Sequence, residues 1–317
     1  MMKLDQDTLD MLRISLRALM REGHNESFVG RLEELGWEEV LKVDAATALR
    51  VLFEIKGETL SSVDALGPEL VRVACLTDPS VGPNHSILLP SPLSNPGTPG
   101  DTVKVEGVTS ATNLGSQVIF FTGEQLSTCA SSHLTISPLQ GTDDSANRRL
   151  VYGEVPIASV ARLSAEASTA VVAAGRRIIA SELVGIGRHV VASAVEYTAQ
   201  RVQYGKPIGV FQALQHRLAS AHCLVVGAGN LATEAAEQGD EWTALVAKCL
   251  AGRAAENACT QVQQCYGAIG FTWEHEFHRY LRRVYILDRE FGDWRTLEHE
   301  IGDRLQATRV VPRIGAL

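Results

Sequence analysis

The 317-residue sequence is poor in cysteine and in aromatic residues, and it has no excess of positive charge. Its six cysteines are spread along the chain without a Cys-x-x-Cys pair, which we interpret as a sign of a reducing cytoplasm. Its 29 basic residues against 37 acidic ones give a formal charge of -8, which disfavours nonspecific attraction to nucleic acid and to anionic membrane surfaces. We therefore expect no nucleic-acid partner.

Long apolar runs and a secretory leader are also lacking. The N-terminal residues do not combine a basic region with an apolar core, as a signal peptide does. The longest runs of consecutive apolar residues fall far short of the roughly 18 to 20 that span a bilayer. With 45% hydrophobic and 21% charged residues, the composition is that of a folded globular protein. We expect a cytoplasmic protein without membrane insertion.

What the sequence does contain is unevenly distributed. Nine of its eleven prolines lie between Pro68 and Pro156, where charged residues are also sparse. On either side of this stretch, apolar residues recur at helical spacings. The pattern predicts an α+β protein that is mostly α-helical, with three domains: a short helical domain at 1–68, a small β-barrel or sandwich at 69–156, and an antiparallel four-helix bundle at 157–317.

The C-terminal region carries the clearest helical pattern. Apolar residues form one continuous stripe at spacings of three and four: Ile179, Leu183, Ile186, Val190, Ala194 and Tyr197. This stripe predicts a single helix of about 45 residues that ends near Tyr204. Further helices are predicted to begin around Phe211, Trp242 and Glu276.

The middle region has short runs of β-branched and aromatic residues separated by turn-forming residues, and these runs predict strands. They are VRVACL from Val71, SILL from Ser86, TVKVEGV from Thr102, QVIFF from Gln117, LTISPL from Leu134 and RLVYGEV from Arg149. Their irregular alternation favours a compact barrel or sandwich over a parallel sheet crossed by helices.

Two short motifs carry little weight. Gly227-Ala-Gly-Asn-Leu-Ala232 imitates a dinucleotide-binding fingerprint, but it lies inside a helical stripe and has no preceding strand. His275 and His278 are three residues apart, whereas a helical zinc pair needs a spacing of four and a third ligand. We therefore predict neither a Rossmann domain nor a metal site.

Two other segments combine residue types that can hold a phosphorylated heterocycle. The first, Arg201-Val-Gln-Tyr-Gly-Lys-Pro-Ile-Gly-Val-Phe-Gln212, places an arginine and an aromatic ring at the end of one predicted helix and a glutamine at the start of the next. A guanidinium donates to phosphate through a planar fork, and helix N-termini offer free backbone donors. The second, Gln264-Cys-Tyr-Gly-Ala-Ile-Gly270, contains glycines that let a ligand approach the backbone. Taken alone, each segment is also compatible with a plain turn between helices.

Together the two segments resemble the acyl-CoA dehydrogenase family, whose C-terminal helical domain carries Arg-x-Gln-Phe-Gly-x-x-Ile-x-x-x-Gln and, later, Gln-x-x-Gly-Gly-x-Gly-x-x-x-Glu. The resemblance covers Ile157 to about Arg283, and the order of helical, β and helical domains agrees. It implies FAD as cofactor and an acyl-CoA as substrate. It also implies oxidation to a 2,3-enoyl-CoA, in which a glutamate removes the α-proton and the flavin takes the β-hydrogen as hydride.

In this family the adenine and pyrophosphate end of FAD is bound by the helical domain of a neighbouring subunit. The resemblance implies an FAD half-site that consists of Arg201, Tyr204, Gln212, Gln264, Gly267 and Ala268. Of these, Arg201 would contact the pyrophosphate, and Tyr204, where the family usually has Phe, would pack beside the adenosine. Ala268 replaces the second glycine of the family's pair, which narrows the turn.

The resemblance also requires a carboxylate base, and neither of the family's two places for it supplies one clearly. The first is a Glu-Gly-Thr turn after the last bundle helix, and here that region reads Gly292-Asp-Trp-Arg-Thr-Leu-Glu-His-Glu300. The second lies early on the long helix, where counting back from Arg201 reaches Gly175. The remaining candidates for the base are Asp293, Glu298 and Glu300.

The middle region also lacks residues that the family uses for catalysis. Thr77-Asp-Pro-Ser-Val-Gly82 echoes the family's Thr-Glu-Pro-x-x-Gly-Ser-Asp loop, but Gly107-Val-Thr-Ser-Ala-Thr-Asn113 lacks the Lys and Trp of its Gly-x-Lys-x-Trp-Ile-Thr-Asn strand. A chain that keeps half of the FAD site without the base or the flavin platform resembles the smaller subunit of heteromeric acyl-CoA dehydrogenases. In those enzymes two larger and two smaller chains share two flavins, and actinobacterial examples oxidise bulky steroid-CoA thioesters.

We therefore predict a half-site subunit of an FAD-dependent acyl-CoA dehydrogenase heterotetramer. A larger partner chain would supply the base, and an electron-transfer flavoprotein would be the electron acceptor. One alternative is a self-sufficient homotetramer whose base is Asp293, Glu298 or Glu300. Another is a scaffold subunit that binds no flavin. The sequence leaves the identity of the acyl group open.

Overall fold

The computed structural model describes residues 3–22, 28–90, 101–123 and 125–314. Within these ranges the helices are α1 Gln6–Glu22, α2 Phe28–Glu34, α3 Trp37–Thr59, α4 Leu66–Thr77, α5 Ala165–Gln200, α6 Gln212–Gln238, α7 Glu241–Tyr266, α8 Phe277–Arg289 and α9 Trp294–Thr308. The strands are β1 His85–Ile87, β2 Leu89–Pro90, β3 Thr102–Thr109, β4 Gln117–Thr122, β5 Gln125–Ala130, β6 Thr135–Pro138, β7 Arg149–Pro156, β8 Ala161–Arg162, β9 Val202–Gln203 and β10 Lys206–Pro207. The chain is mostly helical with a small β region, as predicted.

The chain divides into two compact units, each assembled from separate stretches of sequence. The first unit contains Met1–Glu22, Val29–Ser61 and Arg176–Leu317, and the second contains Gly23–Phe28 and Ser62–Gly175. Helices α1 and α3 thus belong with the C-terminal helices, whereas α4 belongs with strands β1 to β8. The division of the sequence into three domains stays a prediction.

Two four-stranded sheets form the β part of the second unit, in the orders β1-β4-β5-β8 and β2-β3-β7-β6. Strand β3 runs antiparallel to β7, from Thr102 opposite Pro156 to Thr109 opposite Arg149, while β1 and β4 are parallel. Side chains from both sheets share one apolar core, which contains Leu88, Val105, Val118, Phe120, Cys129, Val151 and Val155. The described strands do not close into a barrel, so the region has the sandwich form of the prediction.

One predicted strand is a helix. The run VRVACL, which begins at Val71, lies in α4. The buried residues of this helix follow helical spacing: Leu66, Leu70, Val71 and Ala74. Pro68 lies in its first turn, where the missing N–H is not needed for an intrahelical hydrogen bond. Alternating valines imitate a strand over a few residues, but burial at spacings of three and four identifies the helix.

The long C-terminal helices lie close to their predicted positions. Helix α5 spans 36 residues instead of about 45, because a 3-10 turn at Ile157–Ser159 and strand β8 precede it. Helix α6 ends at Gly239 in the left-handed conformation, and α7 begins where the Asp240 carboxylate accepts the N–H of Thr243. A glycine C-cap followed at once by an aspartate N-cap reverses the chain sharply, so α6 and α7 run antiparallel.

Helix α5 is long and apolar enough to match a membrane span by length and composition alone. Its most apolar 18 residues have a mean hydropathy of 1.4, but 72% of that window is buried inside the protein. A helix that is apolar around its whole circumference is also what the core of a large protein requires. The burial of α5 is that of a core helix.

Buried ion pairs connect α5 to α3 and α8 inside the first unit. Glu182, which is 1% exposed, accepts a hydrogen bond from Lys56 Nζ at 2.8 Å and lies 3.8 Å from the Arg283 guanidinium. Arg283 also donates to the carbonyl of Ser61 at 3.2 Å. Since a buried carboxylate is tolerated only with cations and hydrogen bonds around it, these contacts constrain how the three helices align.

Candidate functional site

The two sequence motifs meet at one end of the helical bundle. Tyr266, the last residue of α7, lies edge-on to Tyr197 of α5, with ring centroids 5.0 Å apart. Its hydroxyl donates to Ser193 Oγ at 2.9 Å. Because Arg201 directly follows α5 and Gly267 directly follows α7, these contacts place the first motif beside the second.

Helix α6 brings the glutamine of the first motif to the same end. Arg217 Nη1 donates to Gln261 Oε1 at 2.8 Å, which sets these positions side by side on the antiparallel helices α6 and α7. From this point α6 runs back to Gln212, while α7 runs forward to Gln264. Gln212 and Gln264 therefore both lie at the end of the bundle where the motifs meet.

A tight hairpin shapes the first motif. Strands β9 and β10 pair residues 202–203 with 206–207 around the turn Tyr204-Gly205. Both turn residues have a positive φ, 54° at Tyr204 and 76° at Gly205. Two consecutive positive φ angles are typical of a type I′ turn, whose twist matches that of the flanking strands. Tyr204 is 90% exposed, so the turn holds its ring out into solvent.

The second motif depends on its glycines. Gly267 has φ 64° and ψ -140°, a conformation that side chains with a Cβ rarely adopt, and its N–H donates to the Gln263 carbonyl at the end of α7. A Cβ on Gly270 would collide with the side chain of Tyr266. Ala268, which replaces the family's second glycine, is exposed within the 3-10 turn between them. The spacing of glycines in this motif is thus required by the turn itself.

Tyr266 also anchors the segment that follows the second motif. Its ring centroid lies 4.3 Å from that of His275 and 5.6 Å from that of Phe277. His275 Nδ1 accepts the N–H of Phe277 at 3.1 Å, so His275 serves as a local cap. Burial raises the pKa of Tyr266, which keeps its hydroxyl protonated and able to donate to Ser193. These buried contacts fix the position of the second motif relative to α5 and to the start of α8.

The surface above this cluster offers groups that the fold leaves unused. The side chains of Arg201, Gln212 and Gln264 are exposed and make no hydrogen bond or ion pair with the residues that the structure describes. The Tyr204 ring touches Phe211 edge-on, with centroids 6.2 Å apart. A guanidinium, a flat ring and two amides can together bind a phosphate and the heterocycle attached to it. The role of these residues toward FAD stays a prediction.

The first candidate base, Asp293, is the N-cap of α9. Its carboxylate accepts the backbone N–H groups of Arg295 and Thr296, and it also accepts the Thr296 hydroxyl at 2.9 Å. Partial burial opposes ionisation, but the hydrogen bonds from Thr296 outweigh it and lower the pKa of Asp293. The geometry is that of a helix cap, in which the carboxylate stays ionised and occupied.

The other two candidates are paired with arginines. Glu298 lies 3.4 Å from Arg253 on an exposed face of the protein. Glu300 lies 3.0 Å from Arg176 and 2.7 Å from Arg304. The structure therefore places all three candidate carboxylates on the first turns of α9, where each has a partner within the chain.

Two buried cations that sequence reasoning missed hold the turn between α8 and α9. Lys248 of α7 is fully buried and donates through Nζ to the carbonyls of Asp288 and Gly292, both at 2.9 Å. Arg176 of α5 donates through Nε to the carbonyl of Phe291 at 3.2 Å. Burial lowers the pKa of Lys248 to about 8, against the attraction of the Asp288 carboxylate. We call Lys248 and Arg176 the clamp. The sequence signal that could have revealed Lys248 is a lysine within the apolar stripe of a predicted helix, because a buried lysine needs partners.

The clamped turn holds an aromatic residue in a strained backbone conformation. Gly292 has φ 102°, and a Cβ there would collide with Leu297. Phe291 is 9% exposed with φ 57°, a strained backbone for a bulky residue, and the clamp maintains it.

The remaining segments singled out in the sequence have structural roles. Asp78 follows α4; hydrogen bonds from Ser80 and from the Ser164 N–H lower the pKa of its carboxyl. Gly175 lies inside α5, and the residues that imitate a dinucleotide fingerprint lie inside α6. Among the residues described here, no three histidine, cysteine or acidic side chains are grouped as a metal ion would need.

Comparison with known proteins connects this site to one family. Residues 166–297 match the family model described as "Acyl-CoA dehydrogenase, C-terminal domain". Acyl-CoA dehydrogenase IpdE2 of Mycobacterium tuberculosis is 33% identical over 128 residues, which cover 39% of this chain and 40% of that protein. The short-chain specific acyl-CoA dehydrogenase of Megasphaera elsdenii is 32% identical over 156 residues, which cover 46% of this chain and 41% of that protein. The chain thus spans about 40% of the length of these relatives.

Solved structures extend the likeness to the fold of the whole chain. The glutaryl-coenzyme A dehydrogenase–glutaryl-CoA complex has a TM-score of 0.75 at 18% identity and covers 100% of this chain and 99% of that chain. The "Tcur3481-Tcur3483 steroid ACAD G363A variant" has a TM-score of 0.72 at 20% identity, and the match covers 96% of this chain and 99% of that chain. The ChsE4-ChsE5 complex from Mycobacterium tuberculosis has a TM-score of 0.75 at 15% identity, and the match covers 98% of this chain and 99% of that chain. The chain has the acyl-CoA dehydrogenase fold, and the sequence matches support that family.

Proposed function

We propose that this chain is a subunit of an FAD-dependent acyl-CoA dehydrogenase, which oxidises an acyl-CoA to a 2,3-enoyl-CoA. The observation that carries the proposal is the meeting of the two motifs at one end of the bundle, where Tyr266 contacts Tyr197 and donates to Ser193. The segment that matches the C-terminal domain of that family, residues 166–297, contains both motifs.

The exposed residues at this end have the chemistry that the ADP part of FAD requires. The Arg201 guanidinium can donate two parallel hydrogen bonds to a pyrophosphate. The Tyr204 ring offers a flat apolar face to the adenosine, and the amides of Gln212 and Gln264 can both donate and accept. Gly267 exposes its backbone without a side chain in the way. Since these groups hold only the ADP end, we infer that they complete a cofactor site whose other half lies on a partner.

When bound, the flavin supplies the hydride acceptor of the reaction. The contribution of this chain is then to position the cofactor: a cation neutralises the pyrophosphate, and the ring and amides fix the orientation of the adenosine. These interactions are the same before and during the chemical step, so their loss weakens cofactor binding. The proton transfer needs a carboxylate from elsewhere.

We propose that a larger partner chain supplies this carboxylate. One observation supports this: Asp293, Glu298 and Glu300 each have a partner within the chain. A helix cap and ion pairs hold these carboxylates against groups of their own chain, whereas a base must approach the α-carbon of the substrate.

The assembly and the substrate are proposed by analogy with the fold neighbours. Two of these are named as pairs of chains, Tcur3481-Tcur3483 and ChsE4-ChsE5, and the first is named a steroid acyl-CoA dehydrogenase. On this basis we propose a cytoplasmic heterotetramer of two larger and two smaller chains, a bulky steroid-type acyl-CoA as substrate, and an electron-transfer flavoprotein as acceptor.

Purification of the chain alone and together with the product of the adjacent gene tests the proposal. We expect the lone chain to hold no flavin and to show no acyl-CoA oxidation, whereas the complex should hold two flavins for four chains and be active. Flavin is measured by its absorbance after release from the protein. Flavin and activity in the lone chain would support a self-sufficient homotetramer instead. A stable complex without flavin would support a scaffold.

A further inference from the structure

The second unit contains a cleft that the proposed function does not use. It has a volume of about 550 Å³ and is lined by α4, by the connection from α4 to β1, by β1 itself and by the end of β3. Helix α4 contributes residues on one face, at helical spacing: Pro68, Val71 and Cys75. Pro83, Ile87 and Ala111 complete an apolar lining. The volume is in the range of small-molecule sites.

The polar side chains around this cleft are already engaged with one another or with nearby backbone. Arg72 forms two hydrogen bonds with Glu69, at 2.8 and 2.6 Å. Ser86 Oγ accepts the Gly115 N–H at 2.8 Å. The other three engaged groups are Asp64, which accepts the Gly67 N–H, Thr109, which accepts the Ala111 N–H, and His85, whose Nδ1 contacts the backbone of Gly82. Each of these groups thus already has a partner within the chain, and most of the lining surface is apolar, so the cleft favours an apolar ligand.

Ala111 is one of the small residues that line the cleft. Ala111 lines the cleft with a single methyl group, where an indole ring would occupy much of the space. The space in front of this methyl group is therefore open to a ligand.

We propose that this cleft binds an uncharged, apolar small molecule, a hydrocarbon chain or ring system. Two features of the cleft identify this class: a mostly apolar lining surface, and polar groups that each already have a partner within the chain. Burial of apolar surface against Val71, Ile87 and Ala111 supplies the affinity. The site requires neither flavin nor a partner chain, so its test is independent of the proposed function.

Cys75 makes the cleft directly measurable. It is half-buried in the lining, while Cys223 is exposed and the other four cysteines are buried: Cys129, Cys249, Cys259 and Cys265. Burial raises the pKa of Cys129 to about 11 and that of Cys259 to about 12, which makes these thiols unreactive. In a Cys223→Ser chain, iodoacetamide should therefore modify Cys75 before the others. Mass spectrometry of the peptide that contains Cys75 measures the rate.

The probes are n-decanol for a chain and 1-adamantanol for a ring system, with glycerol as the polar control. At a concentration ten times its dissociation constant, a bound alcohol should slow the modification of Cys75 about tenfold. Glycerol should have no effect. Protection by only one of the two alcohols identifies the shape of the ligand and supports the proposal. Absence of protection by both alcohols, up to their solubility limits, overturns it.

Ala111→Trp in the same background separates the cleft from any other binding surface. The indole fills the cleft, so the alcohols should no longer change the modification rate, whereas Ala111→Ser should keep full protection. Protection that persists in Ala111→Trp places the ligand elsewhere and overturns the proposal. If Ala111→Trp does not fold, Cys75→Phe fills the cleft from α4, and calorimetric titration with n-decanol replaces the labelling. Heat of binding that is unchanged in Cys75→Phe also overturns the proposal.

Discussion

Two regions of the helical unit are rich in arginine, glutamine and acidic residues, and they use them in opposite ways. At the bundle end, Arg201, Gln212 and Gln264 are exposed and unpaired within the described chain. At the α8–α9 turn, Asp293 caps a helix and Lys248 donates to two carbonyls while fully buried. Polar groups that a fold leaves unpaired are available to a ligand, whereas those it pairs are part of the fold. The comparison therefore assigns binding to the first region and architecture to the second.

The clamp should give the largest effect of any substitution that tests this comparison. Lys248→Ala removes the cation beside the buried Asp288 carboxylate, so we expect the free energy of unfolding to fall by about 3–5 kcal/mol. Urea unfolding followed by circular dichroism measures it. Lys42, whose side chain is 71% exposed, provides the matched control, and Lys42→Ala should change the free energy by less than about 0.5 kcal/mol. Equal effects of the two substitutions would remove the distinction between the regions.

The clamp also predicts a dependence on pH. Burial lowers the pKa of Lys248 from 10.5 to about 8, so between these values the unfolded chain binds a proton that the folded chain has released. The unfolding free energy of the wild type, relative to Lys248→Met, should therefore rise with pH in this window, by up to about 1.4 kcal/mol per pH unit. Of the groups that face the amine, Asp288 and Glu290 favour its charged form and Arg176 opposes it. A difference that stays flat or falls as the pH rises from 8 to 10.5 contradicts the assignment.

The cap of α9 should give an intermediate effect. Asp293→Ala removes the acceptor for two backbone N–H groups, so we expect a loss of about 1 kcal/mol in the free energy of unfolding. Asp240→Ala, at the equivalent cap of α7, should cost a similar amount. Asp293→Asn keeps an acceptor oxygen and should leave the rate of acyl-CoA oxidation by the complex unchanged. A loss of about 100-fold or more with Asp293→Asn would identify the carboxylate as a base instead.

The smallest effect on stability is expected at the bundle end, and it should have the opposite sign. Tyr204 has a positive φ, which an aromatic residue adopts only at a cost. Tyr204→Asn creates the Asn-Gly pair that type I′ turns prefer, so we expect the free energy of unfolding to rise by about 0.5 kcal/mol. Flavin retention by the complex should fall, because the ring is lost, whereas Tyr204→Phe should keep it. If the Tyr204→Asn complex retains as much flavin as the wild-type complex, Tyr204 is not part of the FAD half-site.

The helices were predictable where an apolar stripe continues over many turns, as it does from α5 to α8. Strand β5 was not predicted, because Ser127 and Thr128 interrupt its apolar residues although Ser127 is almost fully buried. Helix α9 was not separately predicted either. Its inner face has only three apolar residues in the local hydrophobic cluster, Trp294, Leu297 and Ile301, at spacings of three and four between charged residues. Short elements carry too few periods for the pattern to be distinguished from chance.

The candidate site, too, could be predicted only in part. The motifs could be located from the sequence because each combines several residues at fixed spacing beside a helix end. The arginines that pair with the candidate bases could not be predicted from the sequence. Arg176 and Glu300, for example, are 124 positions apart, and only the folded arrangement of α5 and α9 brings them together. The same holds for Lys248 and Asp288, 40 positions apart. Sequence spacing identifies a motif, and tertiary contacts decide whether its charges remain available.

The most direct test of the account is the affinity of the complex for FAD when Arg201 is replaced. Arg253→Ala is the matched control: Arg253 is also exposed on the helical unit, but it lies about 20 Å along α7 from the second motif. A charge-assisted hydrogen bond contributes about 1.5–3 kcal/mol, so the dissociation constant of FAD should rise about 10- to 100-fold in Arg201→Ala. Arg253→Ala should leave it unchanged, and both variants should assemble normally. An Arg201→Ala complex that binds FAD as tightly as the Arg253→Ala complex would contradict the half-site.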